Sequence, residues 1–269
     1  MIYKVQGAPL YAYTGGKEFD PSKPTAVFIH GVLNDHSVWI LQTRYFANHG
    51  WNVLAIDLPG HGRSGGKAPT TVQEAAQSVI ALLDAAGVDK AILIGHSLGS
   101  LIAMQAAAEH PTRVSQLVMV GTAYPMRVSP ALLENSISNP NKAIDMVNVF
   151  SHSTLAPPPS ALGPGTWLLG GSKALMRRVL ASNPHENIFN IGFKACDQYD
   201  QGETAMSQVV CPTLFLLAKK DQMTPPKAAQ SLIQKARDGH VAWVNAGHQM
   251  MVEAPEECLD AMLAFCKKS

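Results

Sequence analysis

The sequence is short of charged residues and of long apolar runs. Charged residues make up 15% of the chain, and the formal net charge is +1. A nucleic-acid or anionic-membrane partner favours a strong basic excess, so neither is expected. No apolar stretch reaches the roughly 20 residues that a membrane span needs. The first ten residues lack the basic start and apolar run of a signal peptide, so a cytoplasmic location is expected.

Cysteine is also scarce. Cys196, Cys211, Cys258 and Cys266 show no CxxC spacing of the kind that metal sites use. Cys258 and Cys266 fall in an apolar helical pattern, where a thiol serves as a small core side chain. The sequence therefore predicts a reducing compartment and no metal, cofactor or disulfide.

Apolar residues, by contrast, are plentiful at 46% and are arranged in a regular rhythm. Short, nearly continuous apolar runs, typical of strands buried on both faces, stand at 26–29, 53–56, 91–94, 117–120, 213–217 and 241–244. Amphipathic segments separate them, one opening with the capping box Thr71 to Glu74. This alternation predicts an α/β fold with a mostly parallel central sheet and helices on both faces. Ile2 to Thr14 predicts a leading hairpin.

One region interrupts the rhythm. Residues 123–206 contain no clear strand run, and 156–165 are rich in proline and glycine. The flanking segments have helical patterns with large apolar residues. We therefore predict a helical cap subdomain over 123–206, inserted into a core made of 1–122 and 207–269.

Gly95 to Gly99, with the sequence GHSLG, predicts a nucleophile turn. It follows a buried strand run and precedes an alanine-rich helix over Leu101 to Glu109. A serine exposed on such a turn has a strained backbone, and the two glycines leave room for close packing. The positive end of the helix dipole lies near Ser97. The alternative is a structural turn with an ordinary serine.

A serine hydroxyl needs a base, and the base needs a carboxylate. Of ten histidines, His248 lies directly after the last strand run, and Asp221 follows the run at 213–217. The order serine, aspartate, histidine matches one known arrangement. His96 is expected to be a packing residue. The alternatives are a helix-capping loop residue for His248 and a plain surface residue for Asp221.

Two backbone amides can stabilise the negative charge that develops on an attacked carbonyl. The amide of Leu98, directly after Ser97, is the first candidate. The second is the amide of Val32, because His30-Gly31 ends the first buried strand run. Taken alone, His30-Gly31 is more typical of a simple turn, and the oxyanion interpretation gains support from its combination with Ser97.

The predicted cap also carries large apolar side chains. They could line a substrate pocket or form the cap's own core, and they are Met126, Met146, Phe150, Trp167, Leu168, Phe189 and Phe193. We predict that Met126, Phe150 and Trp167 line the pocket. For His30, at the end of its strand, a structural or pocket-lining role is expected in preference to that of a general base. An apolar pocket of this kind favours a small to medium hydrophobic substrate.

Together these segments resemble the α/β-hydrolase superfamily over nearly the whole chain outside the predicted cap. His30-Gly31 is similar to its oxyanion motif, and Asp57 to Ser64 to its DxPGxGxS turn. Gly95 to Gly99 resembles its nucleophile elbow, Asp221 its acid and Gly247-His248 its base. The resemblance is greatest to the capped serine carboxylesterases and the enol-lactone hydrolases.

The resemblance implies a serine hydrolase that cleaves a small-molecule carboxylic ester through an acyl-enzyme on Ser97, Asp221 and His248. A lactonase, thioesterase, perhydrolase or carbon–carbon bond hydrolase would use the same three residues. Gln249 stands where carbon–carbon hydrolases of this fold usually have tryptophan, which disfavours that activity. An alternative of another class is a weakly catalytic ligand receptor.

Overall fold

A single sheet forms the centre of the molecule. The computed structural model describes residues 1–153 and 167–266, and within them eight strands are β1 Ile2–Val5, β2 Ala8–Tyr13, β3 Thr25–Ile29, β4 Asn52–Ile56, β5 Ala91–His96, β6 Val114–Val120, β7 Thr213–Ala218 and β8 Gly239–Val244. Their order across the sheet is β1-β2-β4-β3-β5-β6-β7-β8. The β1–β2 and β2–β4 pairs are antiparallel. The pairs β4–β3, β3–β5, β5–β6, β6–β7 and β7–β8 are parallel. The predicted fold class, the six strand runs and the leading hairpin are confirmed.

The central strands are buried on both faces, which explains their nearly continuous apolar runs. In β3, Val27 and Ile29 pack in one hydrophobic cluster, whereas Ala26 and Phe28 pack in a second cluster on the opposite face. Successive strand side chains point to opposite sides, so both sets need an apolar cover.

Helices provide that cover. Along the chain they are α1 Ile40–Asn48, α2 Val72–Ala85, α3 Leu98–Glu109, α4 Pro130–Ser138, α5 Pro140–Ser151, α6 Leu168–Ser182, α7 Ile188–Gln198, α8 Gly202–Gln208, α9 Gln230–Lys235, α10 Met250–Glu253 and α11 Pro255–Cys266. Two short 3-10 helices cover His36–Trp39 and Pro226–Ala229. Helices α2 and α3 contribute to the first cluster, and α1 and α11 to the second. Cys258 and Cys266 are buried in this core, as predicted.

The start of α2 differs in detail from the predicted capping box. Thr71 Oγ1 accepts a hydrogen bond from the amide of Glu74 at 3.1 Å, as expected. The Glu74 carboxylate also accepts from the amide of Thr70 at 2.7 Å. Because the hydroxyl of Thr70 also donates to Glu74 Oε2, the carboxylate is held one residue further back.

Helices α4 to α8 lie between β6 and β7 in the chain and are called here the inserted helices. A third hydrophobic cluster joins α4, α5, α6 and α7 through residues such as Leu132, Ile144, Val179 and Phe189. Cys196 and Met206 belong to the first cluster instead, so the end of the insertion is part of the main core. The boundaries of a separate cap, 123–206, remain a prediction, and the proline-rich stretch 156–165 lies outside the described residues.

The helices described above all lie within residues 1–153 and 167–266. None of them combines the length and the apolarity that crossing a membrane requires.

Candidate active site

Ser97 occupies a sharp turn between β5 and α3. Its backbone angles, φ 54° and ψ −120°, lie in a region that residues with a side chain rarely adopt. A Cβ on Gly95 would overlap the carbonyl oxygen of Gly99, and a Cβ on Gly99 would overlap that of Ile29. Since both obstacles are backbone atoms that cannot rotate away, the turn requires glycine at both positions.

His248 and Asp221 form a buried pair. His248 Nδ1 lies 2.8 Å from Asp221 Oδ2, and both side chains are almost fully buried. Asp221 Oδ1 accepts hydrogen bonds from the amides of Met223 at 2.9 Å and Thr224 at 2.8 Å. Burial by itself would raise the pKa of Asp221, but its partners His248 and Thr224 outweigh this effect and lower it. The carboxylate is therefore held in its charged form.

Thr224 is a functional candidate that the sequence interpretation missed. Its Oγ1 lies 2.8 Å from Asp221 Oδ2, 3.0 Å from His248 Nδ1 and 2.9 Å from the carbonyl oxygen of Gly121. The hydroxyl can donate to Asp221 Oδ2 or to the carbonyl oxygen of Gly121. Both this hydroxyl and the Asp221 carboxylate lie within hydrogen-bond distance of His248 Nδ1. A threonine three residues after the predicted acid was the available signal, because such a spacing lets a turn close on the carboxylate.

His96 was predicted to be a packing residue, and it also holds the candidate base. His96 Nε2 donates to the backbone carbonyl of His248 at 3.0 Å, and the two ring centroids are 4.5 Å apart. Complete burial, together with the positive charge that His248 can carry, lowers the pKa of His96 to about 3. The ring is neutral at physiological pH and fixes the position of the His248 backbone.

Ser97 and His248 line one cavity of about 280 Å³. Apolar residues supply much of its described lining, namely Val32, Met126, Val128, Leu132, Met146, Val147, Phe150, Phe193 and Met223. Between described residues, no hydrogen bond joins Ser97 Oγ to His248. In free enzymes such contacts are often long and tighten when substrate binds. The structure thus places the predicted nucleophile and base in the lining of one cavity, with the predicted acid bound to the base.

The two residues predicted to donate oxyanion amides lie beside Ser97. Leu98 is the first residue of α3, so its amide belongs to the helix end, where N–H groups lack partners within the helix. Val32 lines the cavity. The preceding loop approaches the nucleophile closely, because a Cβ on Gly31 would lie 3.1 Å from Ser97 Cβ. The oxyanion role of the two amides remains a prediction.

Two of the predicted pocket residues do not line the cavity, whereas Met126 and Phe150 do. His30 is completely buried, and its Nδ1 donates to the carbonyl of Gly31 at 2.8 Å. His30 Nε2 accepts from the amide of Leu58 at 3.1 Å, so the ring is used to join two loops. Trp167 precedes α6 with 66% of its surface exposed and is not among the described residues that line the cavity.

The other apolar candidates divide between the two expected roles. Met146 and Phe193 line the cavity. Phe189 is buried in the hydrophobic cluster of the inserted helices, and Leu168 is buried at the start of α6. Both alternatives for this set, pocket and core, are therefore realised in different residues.

A group of potential metal ligands lies outside this cavity. Atoms of Asp35, His36 and Asp57 that could bind a metal are within 4.8 Å of one another. However, Asp57 Oδ1 is 2.7 Å from His36 Nδ1, and Asp57 Oδ2 accepts from the amide of Arg63 at 2.9 Å. Asp35 Oδ2 forms an ion pair with Arg178 at 2.7 Å. Because these oxygens already have protein partners, the group acts as a structural network that fixes the turn after β4.

The fold and the sharp turn at Ser97 define a class of protein, and comparison with known proteins identifies the family. Residues 26–261 match the model of the alpha/beta hydrolase family. The chain therefore belongs to this family.

Two curated relatives and one solved structure illustrate the similarity. A dihydrolipoyllysine-residue acetyltransferase component of the acetoin cleaving system of Cupriavidus necator is 36% identical over 111 residues, 41% of this chain and 28% of that protein. A pimeloyl-[acyl-carrier protein] methyl ester esterase of Edwardsiella ictaluri is 46% identical over 100 residues, 37% of each chain. This chain thus matches only 28% and 37% of the length of these two relatives.

The enol-lactonase of Burkholderia xenovorans LB400 superposes on the whole chain, 100% of each, with a TM-score of 0.84 and 18% identity. At this identity the superposition establishes the fold alone. The resemblance to esterases and enol-lactonases that the sequence motifs indicated is confirmed.

Proposed function

We propose that this α/β hydrolase is a serine esterase that cleaves small to medium hydrophobic carboxylic esters through an acyl-enzyme. The observation that supports the proposal is one shared cavity: Ser97, on its strained turn, and His248, paired with the buried Asp221, both line it. Nucleophile, base and carboxylate in these relations are the parts that acyl transfer needs.

The mechanism has two steps. In the first, Ser97 Oγ attacks the ester carbonyl carbon while His248 Nε2 takes the hydroxyl proton. Asp221 stabilises the imidazolium through Nδ1, and the amides of Leu98 and Val32 donate to the oxyanion. The intermediate collapses when the C–O bond breaks and His248 returns the proton to the leaving alcohol.

In the second step, water attacks the acyl-enzyme and His248 takes one of its protons. The carboxylic acid leaves, and the proton returns from His248 to Ser97 Oγ. Since His248 must be neutral at the start of each step, activity falls on the acid side of the pH profile.

The cavity supports a hydrophobic acyl or alcohol group. Met126, Met146, Phe150 and Phe193 contribute flexible or aromatic surface to its wall. Most ligand sites are lined in this way, with a few polar groups that fix orientation.

The buried thiols, among them Cys196 with a pKa of about 12 because of desolvation, support the proposal of a reducing, cytoplasmic location.

A p-nitrophenyl ester series from acetate to decanoate tests the proposal. Wild type should hydrolyse at least part of the series, and Ser97→Ala should lose more than about a thousandfold in kcat/KM. Ser207→Ala is the matched control, because Ser207 is exposed in α8 and is not among the described residues that line the cavity. This variant should stay within about twofold of wild type.

Two results would contradict the assignment. One is an equally active Ser97→Ala variant. The other is a wild type inert on every ester, after which lactones, thioesters, carbon–carbon substrates and simple ligand binding would be measured.

A further inference from the structure

The carboxylate of Glu253, at the end of α10, joins two parts of the molecule that are far apart in sequence. Its Oε2 accepts a hydrogen bond from the amide of Gly247 at 2.8 Å, and its Oε1 accepts from the amide of Ser153 at 2.8 Å. Gly247 directly precedes the candidate base, and Ser153 lies just past the end of α5. One side chain thus connects the loop of His248 to the inserted helices.

The two segments are also in direct backbone contact. A Cβ on Gly247 would lie 2.6 Å from the nitrogen of Ser153 and 2.8 Å from the carbonyl oxygen of Ser151, so glycine permits the approach. On the other side of the base, the amide of Gln249 donates to that same carbonyl at 2.9 Å. Both neighbours of His248 in the chain are therefore bonded to, or packed on, residues 151–153.

The same end of α5 forms part of the cavity wall. The cavity lining includes Val147, Phe150 and Ser151, which lie at or within four residues of the segment 151–153 that contacts the His248 loop. A displacement of α5 by substrate, or by a substitution in its packing, would therefore reach the base through short, stiff backbone contacts.

We propose that Glu253 is a positioning residue that couples the cavity wall formed by α5 to the placement of His248. This inference rests on the proposed esterase function and names a device that regulates the same site. A carboxylate suits the task because each of its oxygens accepts one N–H, with the added strength of a charged acceptor. A glutamine has the same shape but one acceptor oxygen, and its amino group would face an N–H donor.

Glu253→Gln tests the coupling, and Glu257→Gln is the matched control. Glu257 Oε2 also accepts from an amide of the same loop, that of Asn245 at 3.0 Å, but within the described chain its carboxylate forms no hydrogen bond with the inserted helices. We expect Glu253→Gln to lower kcat on p-nitrophenyl esters by about 10- to 100-fold, because small misplacements of a catalytic group have effects of that size. The dependence of KM on acyl chain length should also flatten. The control should keep both properties.

Two further measurements keep this test separate from that of the function itself. Thermal midpoints establish that each variant is folded at the assay temperature, and a fluorophosphonate probe reports how fast Ser97 is labelled. If wild type neither labels nor hydrolyses, the esterase proposal fails. If wild type is active and Glu253→Gln has wild-type kcat, labelling rate and chain-length dependence, the coupling is wrong. Equal losses in Glu253→Gln and Glu257→Gln would also overturn it, since they would indicate loop stability alone.

Discussion

The turns at the edge of the sheet and the inserted helices are built in different ways. At the edge, Gly95 and Gly99 lie against backbone atoms, and Gly121, with φ 56°, would place a Cβ 3.3 Å from His248 Nδ1. In the inserted helices, a Cβ on Gly171 would meet nothing within 4 Å. The cavity wall there consists of side chains such as Met146. Backbone contacts therefore fix the reacting groups, and exchangeable side-chain packing shapes what they act on.

The largest expected effect follows from placing one methyl group in each region. Gly99→Ala forces a Cβ into the carbonyl of Ile29, so we expect at least about 3 kcal/mol of lost unfolding free energy, or no folded protein. Gly171→Ala lies in open space within α6 and should raise stability by about 0.5–1 kcal/mol. Denaturant unfolding of both variants measures the difference. Equal changes in unfolding free energy would mean that the two regions tolerate an added methyl group equally well.

Acid should weaken the sheet edge next. Burial lowers the pKa of His61 to about 4 and of His96 to about 3, from an ordinary value of 6.5. Below pH 6.5 the unfolded chain binds protons at these side chains while the folded chain does not. Their contribution to the free energy of unfolding is therefore complete above pH 6.5. It falls as pH drops towards 4, by about 1.4 kcal/mol per pH unit for each histidine.

Denaturant unfolding between pH 4.5 and 7.5 measures this slope. His96→Asn should reduce it by about 1.4 kcal/mol per pH unit, even though the variant is less stable at pH 7. His185→Asn, which changes an exposed histidine just after α6, should leave the slope as in wild type. An unchanged slope in His96→Asn would show that this histidine is protonated in the folded protein.

The smallest expected effect concerns a single hydroxyl. Thr224→Val keeps the shape of the side chain but removes the Oγ1 contacts with Asp221 and His248. We expect kcat/KM to fall about tenfold, equivalent to about 1.4 kcal/mol, because Asp221 keeps its two backbone donors. Thr204→Val, on the exposed side of α8, should have wild-type kinetics. A Thr224→Val enzyme with wild-type kcat/KM would show that the carboxylate alone orients His248.

The sequence predicted those parts that local pattern determines. The strand runs could be identified because each is buried on both faces, and Gly95 to Gly99 could be identified because the turn constrains consecutive residues. The places of Asp221 and His248 followed from strand ends, which meet at one edge of a parallel sheet. These features depend on residues that are close together in the chain, so they can be predicted from one sequence.

The parts that were missed depend on contacts across the fold. Thr224 and Glu253 act on residues of separate loops, and their sequence spacing alone does not state which partner each would meet. His30 follows β3, where a structural role and a pocket-lining role were both expected, and only the fold shows that its ring accepts from the amide of Leu58. The pocket role of Trp167 remains a prediction.

The backbone of Ser97 has a consequence for how this enzyme can change. The strain at φ 54° belongs to the chain path and not to the hydroxyl, so any residue with a Cβ at position 97 bears it. Glycine would relieve the strain but would remove the nucleophile with it. Another reactive side chain could therefore replace serine at position 97 at no additional conformational penalty. Selection for stability and selection for chemistry, however, oppose each other at this position.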